Sequence, residues 1–154
     1  VSKQEIYKQT QAQILAVLDG EMDFTARMAT VGCLLSEAFP DTYFWAGFYV
    51  VREPNSRELV VGPYQGSLGC LRIAFGRGVC GTAAETGKTQ IVSDVHALSN
   101  HIACDSRSNS EIVVPVFDAD GELIAVFDVD STELSTFDEI DKDCLEDLMK
   151  KVFG

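Results

Sequence analysis

The chain has 154 residues, 46% hydrophobic and 23% charged, which suits one soluble domain with its own core and excludes a disordered or fibrous chain. Its formal net charge is −12, from 24 acidic and 12 basic residues with no basic stripe, so nucleic acid is not an expected partner. No stretch approaches the roughly 18 apolar residues of a transmembrane helix, and the opening VSKQEIYKQTQAQ lacks the apolar core of a secretory signal, so a cytoplasmic location and no membrane partner are expected.

Residues 2–18 are predicted helical. Ser2 and Glu5 have capping-box spacing, and Ile6, Ile14, Leu15 and Leu18 can share a face. Asp23 can cap a second helix that ends near Phe39, with Met28, Val31, Leu35 and Ala38 inward and Pro40 just past it. The period then changes. TYFWAGFYVV (42–51) is aromatic and β-branched and is predicted as a strand, REPNSRE as a turn, and LVVGPY as the returning arm of a hairpin. A loop carrying QGSLGC leads to LRIAF. GRGVCGTAAETGK predicts a tight loop and a short helix, Val79 to Thr86, stopped by Gly87. Its G-x-G-x-x-G spacing lacks the long preceding strand of a dinucleotide site, so that function is rejected. TQIVSDV is a further short strand, and 96–109 a long polar loop. SEIVVPVFDADGELIAVFDVDS predicts a hairpin turning at Asp118 to Gly121. The closing helix spans about Phe137 to Val152, with Thr136 and Glu139 at capping-box spacing and Ile140, Cys144, Leu148 and Val152 recurring every four residues. This order, without repeats or a linker, predicts an α+β domain with helices on one face of an antiparallel sheet and functional loops on the other.

Five cysteines and no C-x-x-C pair argue against a structural disulfide framework or a zinc ribbon. Cys33 and Cys144 fall on apolar helix faces and are expected to pack. Cys70, Cys80 and Cys104 lie at loop or element edges. Cys104 has His101 three residues before it and Arg107 three after, which favour a thiolate, while Asp105 opposes one. Its neighbourhood alone leaves a reactive thiol and a half-buried loop cysteine both open. His96, His101 and Cys104 are spaced H-x4-H-x2-C, which matches no standard zinc ligand pattern, so no metal is expected.

Asp128 and Asp130 are two apart on a strand and share a face. If the hairpin pairs around Ala119 and Asp120, Glu111 falls near both. Either this is a solvated hairpin end, or three carboxylates converge near Cys104. Converging acids repel, and one can keep a proton near neutral pH. Such a group could bind an ammonium, hold a metal or deliver a proton. Trp45, on the first strand with Phe44, Phe48 and Tyr49, is either sheet core or an aromatic wall for a small apolar group.

GPYQGSLGCLRIAFGRGVCGTAAETGKTQIVSDVHALSNHIACDSRSNSEIVVPV, continuing through DGELIAVFDVDS and with FWAGFYV upstream, resembles the free methionine-R-sulfoxide reductases, which use a GAF-type domain. The resemblance spans nearly the whole chain, and its most specific part is the triplet Cys70, Cys80 and Cys104. It implies a single GAF-like domain over 1–154, reduction of free methionine-R-sulfoxide, no cofactor, thioredoxin as reductant and a homodimer. It implies Cys104 as nucleophile, Cys70 as resolving partner and Cys80 as an alternative partner. It places Glu111, Asp128 and Asp130 on the substrate's ammonium and sulfoxide, and Trp45 near its methyl group. Backbone amides of Ile102, Ala103 and Cys104 would cradle the carboxylate. A disulfide needs Cα atoms within roughly 7 Å, so the 66–75 or the 96–107 loop is expected to move. The competing readings are a non-catalytic GAF sensor of a small ligand, and a metal hydrolase built on the histidines, Cys104 and the acids.

Overall fold

The computed structural model describes residues 1–101 and 104–154. Helices α1 (Lys3–Val17) and α2 (Phe24–Ala38) precede a hairpin of β1 (Trp45–Val50) and β2 (Glu58–Gln65). The short strand β3 (Arg72–Ala74), helix α3 (Gly78–Thr86) and strand β4 (Gln90–Val92) follow. One 3-10 turn at Val95–Ala97 leads toward a second hairpin, β5 (Ser110–Phe117) and β6 (Leu123–Ser131), and α4 (Glu139–Phe153) closes the chain. The strands form one antiparallel sheet in the order β3-β2-β1-β6-β5-β4. The fold is α+β, as the order of elements predicts.

Alternation sorts the two faces. Ala46 and Phe48 of β1, Ile112, Val114 and Val116 of β5, and Ala125, Phe127 and Val129 of β6 pack with α1, α2 and α4 in the main core. Trp45, Tyr49, Val113 and Val126 point the other way, into a smaller cluster under α3 with Leu59, Ile73, Val79 and Ala83. Both faces are thus covered, which is why β5 reads as a near-continuous apolar run. A β-bulge shifts the β1–β2 register between Gly47 and Tyr49, opposite Gly62 and Pro63, where a proline's missing N–H is tolerated. The GRGVCG segment is a tight loop into α3: Gly78 has φ 63°, and a Cβ on Gly81 would stand 2.5 Å from the Ala74 carbonyl oxygen. Gly87 stops α3 in the left-handed conformation, as expected.

Several boundaries differ from those the spacing predicts. Asp138 caps α4 in place of Thr136: its carboxylate accepts from the Ile140 N–H at 3.0 Å, and Asp141 accepts from the Asp138 N–H at 2.9 Å. Thr136 instead donates to Ser131 Oγ at 2.8 Å. The buried stripe of α4 is Leu145, Leu148, Met149, Val152 and Phe153, so Ile140 is exposed and Cys144 sits at the flank of the core. Leu15 likewise lies off the buried stripe of α1, and Cys33 is half-buried on α2.

The helical layer is joined by a buried polar cluster. Tyr7 donates to Asp141 at 2.6 Å and meets the Tyr43 hydroxyl at 2.8 Å, while Lys3 pairs with the second Asp141 oxygen at 2.7 Å. Asp141 is 2% exposed, and its side-chain partners come from α1 and its own cap. Asp141→Ala removes the acceptor of the buried Tyr7 hydroxyl and the shortest contact of Lys3, which keeps Thr136 and Asp138, so its unfolding free energy should drop by about 1–3 kcal/mol. Urea denaturation measures this, and a loss below about 0.5 kcal/mol, the scale of an unremarkable surface change, would count against the cluster's role.

Candidate active site

The register of three strands builds the floor of the site. Glu111 on β5 faces Asp130 on β6, and Asp130 in turn faces Trp45 on β1; Asp128 stands opposite Val113 and Gly47. Glu111, Asp128, Asp130, Trp45 and Tyr49 therefore project from one sheet face, beneath α3. Cys80, the third residue of α3, points down onto them. Its Sγ, a Glu111 oxygen and an Asp128 oxygen lie within 4.8 Å of one another, all three residues buried. Such a donor set could hold a divalent ion only by losing its protons.

The Trp45 indole is held flat between Tyr49 and Tyr64, with ring centroids 5.7 and 5.0 Å away. Its N–H donates to the Ser67 carbonyl at 2.8 Å. A Cβ on Gly69 would come within 2.8 Å of the indole, so the loop before Cys70 lies directly on the ring.

Two loops close over this floor. Cys70, after β2, is joined by a disulfide to Cys104 on the approach to β5, with Cα atoms 5.5 Å apart across 34 residues. Ser67 donates to Asp105 at 2.7 Å, and Asn100 donates to the Gly76 carbonyl at 3.1 Å. The cavity between the loops and the floor is about 40 Å³ and opens to solvent, room for water but not for a whole amino acid. Its lining includes Trp45, Tyr49, Cys80, Glu111, Asp128 and Asp130, with His101 and Cys104 at its mouth.

Burial without a cation sets the electrostatics. Desolvation raises Glu111, Asp130 and the Cys80 thiol well above their ordinary values, and the neighbouring carboxyls add to it. Asp128 rises to about 8, first from burial and then from the charge of Asp130. It is the least raised because it accepts hydrogen bonds from Glu111 and Cys80. Its Oδ1 is buried and has no partner among the described residues. The site thus combines carboxyl groups biased toward their protonated, donating form with an unpartnered Asp128 oxygen, which can accept. Outside it, Arg107 and Ser67 hold Asp105 well below the ordinary carboxylate range. Burial lowers His101 and keeps its ring neutral.

Comparison with known proteins follows from this geometry. The GAF-domain family profile matches residues 28–152. The chain is 39% identical over 155 residues to free methionine-R-sulfoxide reductase of Saccharomyces cerevisiae, covering 99% of this chain and 86% of the relative. It is 40% identical over 152 residues to free methionine-R-sulfoxide reductase of Escherichia coli, covering 99% and 89%. The chain belongs to the free methionine-R-sulfoxide reductase family of GAF domains. Within that family, the X-ray structure of free methionine-R-sulfoxide reductase from Neisseria meningitidis in complex with its substrate is similar at a TM-score of 0.93 and 47% identity, covering 99% of this chain and 89% of that one. The α1 helix precedes the matched profile but buries Tyr7 and Ile14 in the same core.

Of the residues expected from the family resemblance, Cys70, Cys80, Cys104, Trp45, Tyr49, Glu111, Asp128 and Asp130 come together around this one cavity or its closing disulfide. Ile102 and Ala103 lie outside the described residues. Arg107 does not turn toward Cys104: its guanidinium pairs with Asp105 at 2.7 Å and lies over the Phe44 ring at 4.8 Å. Sequence reasoning missed Tyr64 and Ser67, which fix Trp45; the PYQGSLGC run, an aromatic residue before two glycines, was the available signal.

The raised carboxyls make stability pH-dependent. Asp128 keeps a proton in the folded state up to about 8, whereas the unfolded chain gives it up near 3.8, so stability falls as pH rises between those values. The thermal midpoint of the oxidised protein should fall from about pH 5 to about pH 8, and Asp128→Asn should flatten that fall and raise the midpoint at the upper end. Calorimetry across this range tests it; an Asp128→Asn protein as pH-sensitive as the parent would contradict the assignment.

Proposed function

We propose that this chain reduces free L-methionine-R-sulfoxide to L-methionine, with Cys104 as nucleophile, Cys70 as resolving thiol and a thioredoxin-type dithiol as reductant. The observation that carries the reading is a disulfide between two loop cysteines, set over the sheet face that holds the buried Glu111 and Asp128 and the half-buried Asp130. A disulfide records a finished two-electron oxidation. The acids beneath it supply what the preceding step needs.

A sulfoxide sulfur accepts a nucleophile once its oxygen is protonated or strongly hydrogen-bonded. In this reading that proton comes from Glu111, raised by burial and by Asp128, or from Asp130, raised by burial and by Glu111. The open Oδ1 of Asp128 is placed to take the substrate ammonium. A peptide nitrogen carries no such charge, so a free amino acid is favoured over the same residue inside a protein. Trp45, held by its two tyrosines, offers a rigid apolar wall for the methyl group, with Tyr49 beside it.

The Cys104 thiolate attacks the sulfur, methionine leaves, and Cys104 is left as a sulfenic acid. Cys70 condenses with it, releasing water and forming the disulfide. Cys80, deeply buried and donating to Asp128, serves in this reading as a hydrogen-bond donor that keeps Asp128 the readiest of the acids to ionise. Reduction must free the residue 66–71 loop from the Trp45 ring to admit substrate. The cycle needs a reducing compartment, so we place the protein in the cytoplasm, acting as one unit over residues 1–154 and, by family resemblance, as a homodimer.

Incubation with epimer-resolved free methionine sulfoxide, thioredoxin, thioredoxin reductase and NADPH should consume NADPH with the R epimer. Cys104→Ser should release no methionine even in a single turnover. Cys70→Ser should release about one methionine per site and then stall. Methionine release by Cys104→Ser would overturn the nucleophile assignment. Amides of residues 66–71 should also exchange faster in the reduced than in the oxidised protein; equal, strong protection in both states would count against loop opening.

A further inference from the structure

The loop that carries Cys70 also presents apolar side chains to solvent, Leu68 at the rim of the cavity and Leu71 just past the disulfide. Leu68 and Leu71 are 77% and 70% exposed; away from the chain end, among the described residues, only Met22 is comparably bare for a large apolar side chain. Single exposed leucines are ordinary. Here two of them bracket the resolving member of a disulfide within four consecutive residues, and the backbone beneath is pinned, since the Leu71 carbonyl accepts the Val61 N–H at 2.9 Å. The outward side chains are therefore presented by a fixed segment next to β3, an edge strand of the sheet.

Charge around this patch also departs from the rest of the chain. Arg72, Arg77 and Arg107 surround the two loops and are exposed, in a protein whose net charge is −12. Arg72 and Arg107 are paired with Glu58 and Asp105, and Arg77 has no ion-pair partner among the described residues. Arg72 and Arg107 are thus neutralised locally, and the patch is an apolar centre with one cation unpaired among the described residues, Arg77, nearby.

Building on the reductase reading, we propose that Leu68 and Leu71 form the docking surface for the protein dithiol that reduces the Cys70–Cys104 disulfide, a partner with an apolar surface around its attacking cysteine. Seated there, its thiolate meets the Cys70 sulfur. The Cys70–Cys104 bond breaks, a mixed disulfide forms on Cys70, and Cys104 leaves as a thiolate. The partner's second thiol then attacks the mixed disulfide, so the partner leaves oxidised by two electrons and Cys70 leaves reduced. Attack in this order returns Cys104 directly in the form the next turnover uses.

The test needs no sulfoxide, so it separates this proposal from the activity it builds on. The oxidised protein is mixed with reduced thioredoxin or with dithiothreitol, and the appearance of the Cys70 and Cys104 thiols is followed by quenched alkylation and mass spectrometry. Leu71→Asp, on a side chain that touches solvent, should slow reduction by thioredoxin about tenfold or more, the scale of a lost interface anchor, and leave reduction by dithiothreitol within about twofold. Unchanged rates with both reductants, parallel slowing with both, or a parent protein that thioredoxin does not reduce would each overturn the proposal.

Discussion

Three carboxyl groups share one buried face of the sheet, and the chemistry of the site depends on that constraint. Packing buries Glu111 and Asp128 and half-buries Asp130, and desolvation with mutual repulsion holds all three above the ordinary carboxylate range. The chain tolerates this by sharing protons along a run of hydrogen bonds that ends at Asp128 and includes the Cys80 thiol. Folding free energy held in this way is available to a ligand that brings its own positive charge and its own acceptor oxygen. The main core on the opposite face, with its many fully buried aliphatic and aromatic side chains, is what allows the sheet to carry such a cluster.

The aromatic stack and the closing loops serve the same constraint. Trp45 is immobilised by Tyr49, Tyr64 and the Ser67 carbonyl, so the wall beside the acids is apolar and fixed. The disulfide and the Ser67–Asp105 hydrogen bond draw the two loops together above it and keep bulk water from relaxing the acids. Asp105 and Arg107, read from sequence as opposing influences on Cys104, neutralise one another instead and act as loop scaffolding. The same loop lines the cavity through Leu68 and Gly69 and exposes Leu71 to solvent beside the disulfide.

Much of this was legible in the amino-acid order, for reasons that are local. Asp23 and Ser2 cap helices because their side chains reach backbone amides three residues on. Asp128 and Asp130 share a face because a strand repeats every two residues, and the turn at Asp118 to Gly121 brings Glu111 opposite them. The slips were also local competitions. Asp138 outcompetes Thr136 as a cap because Asp141 can answer it, and the α4 stripe rotates by one position to bury Leu145 in place of Cys144.

The sequence by itself determined the α+β class, the antiparallel hairpins and the shared face of the acids, and the family resemblance singled out Cys70, Cys80 and Cys104. Those properties follow from backbone period and residue type, which are written in short stretches. Tertiary structure alone decided that Cys80 reaches down to Glu111 and Asp128, that Tyr64 backs Trp45, that Arg107 turns away from Cys104, and that Asp128 keeps an open oxygen. Each depends on distance across separate elements and on how much water packing removes, and desolvation is a property of the assembled fold rather than of any segment.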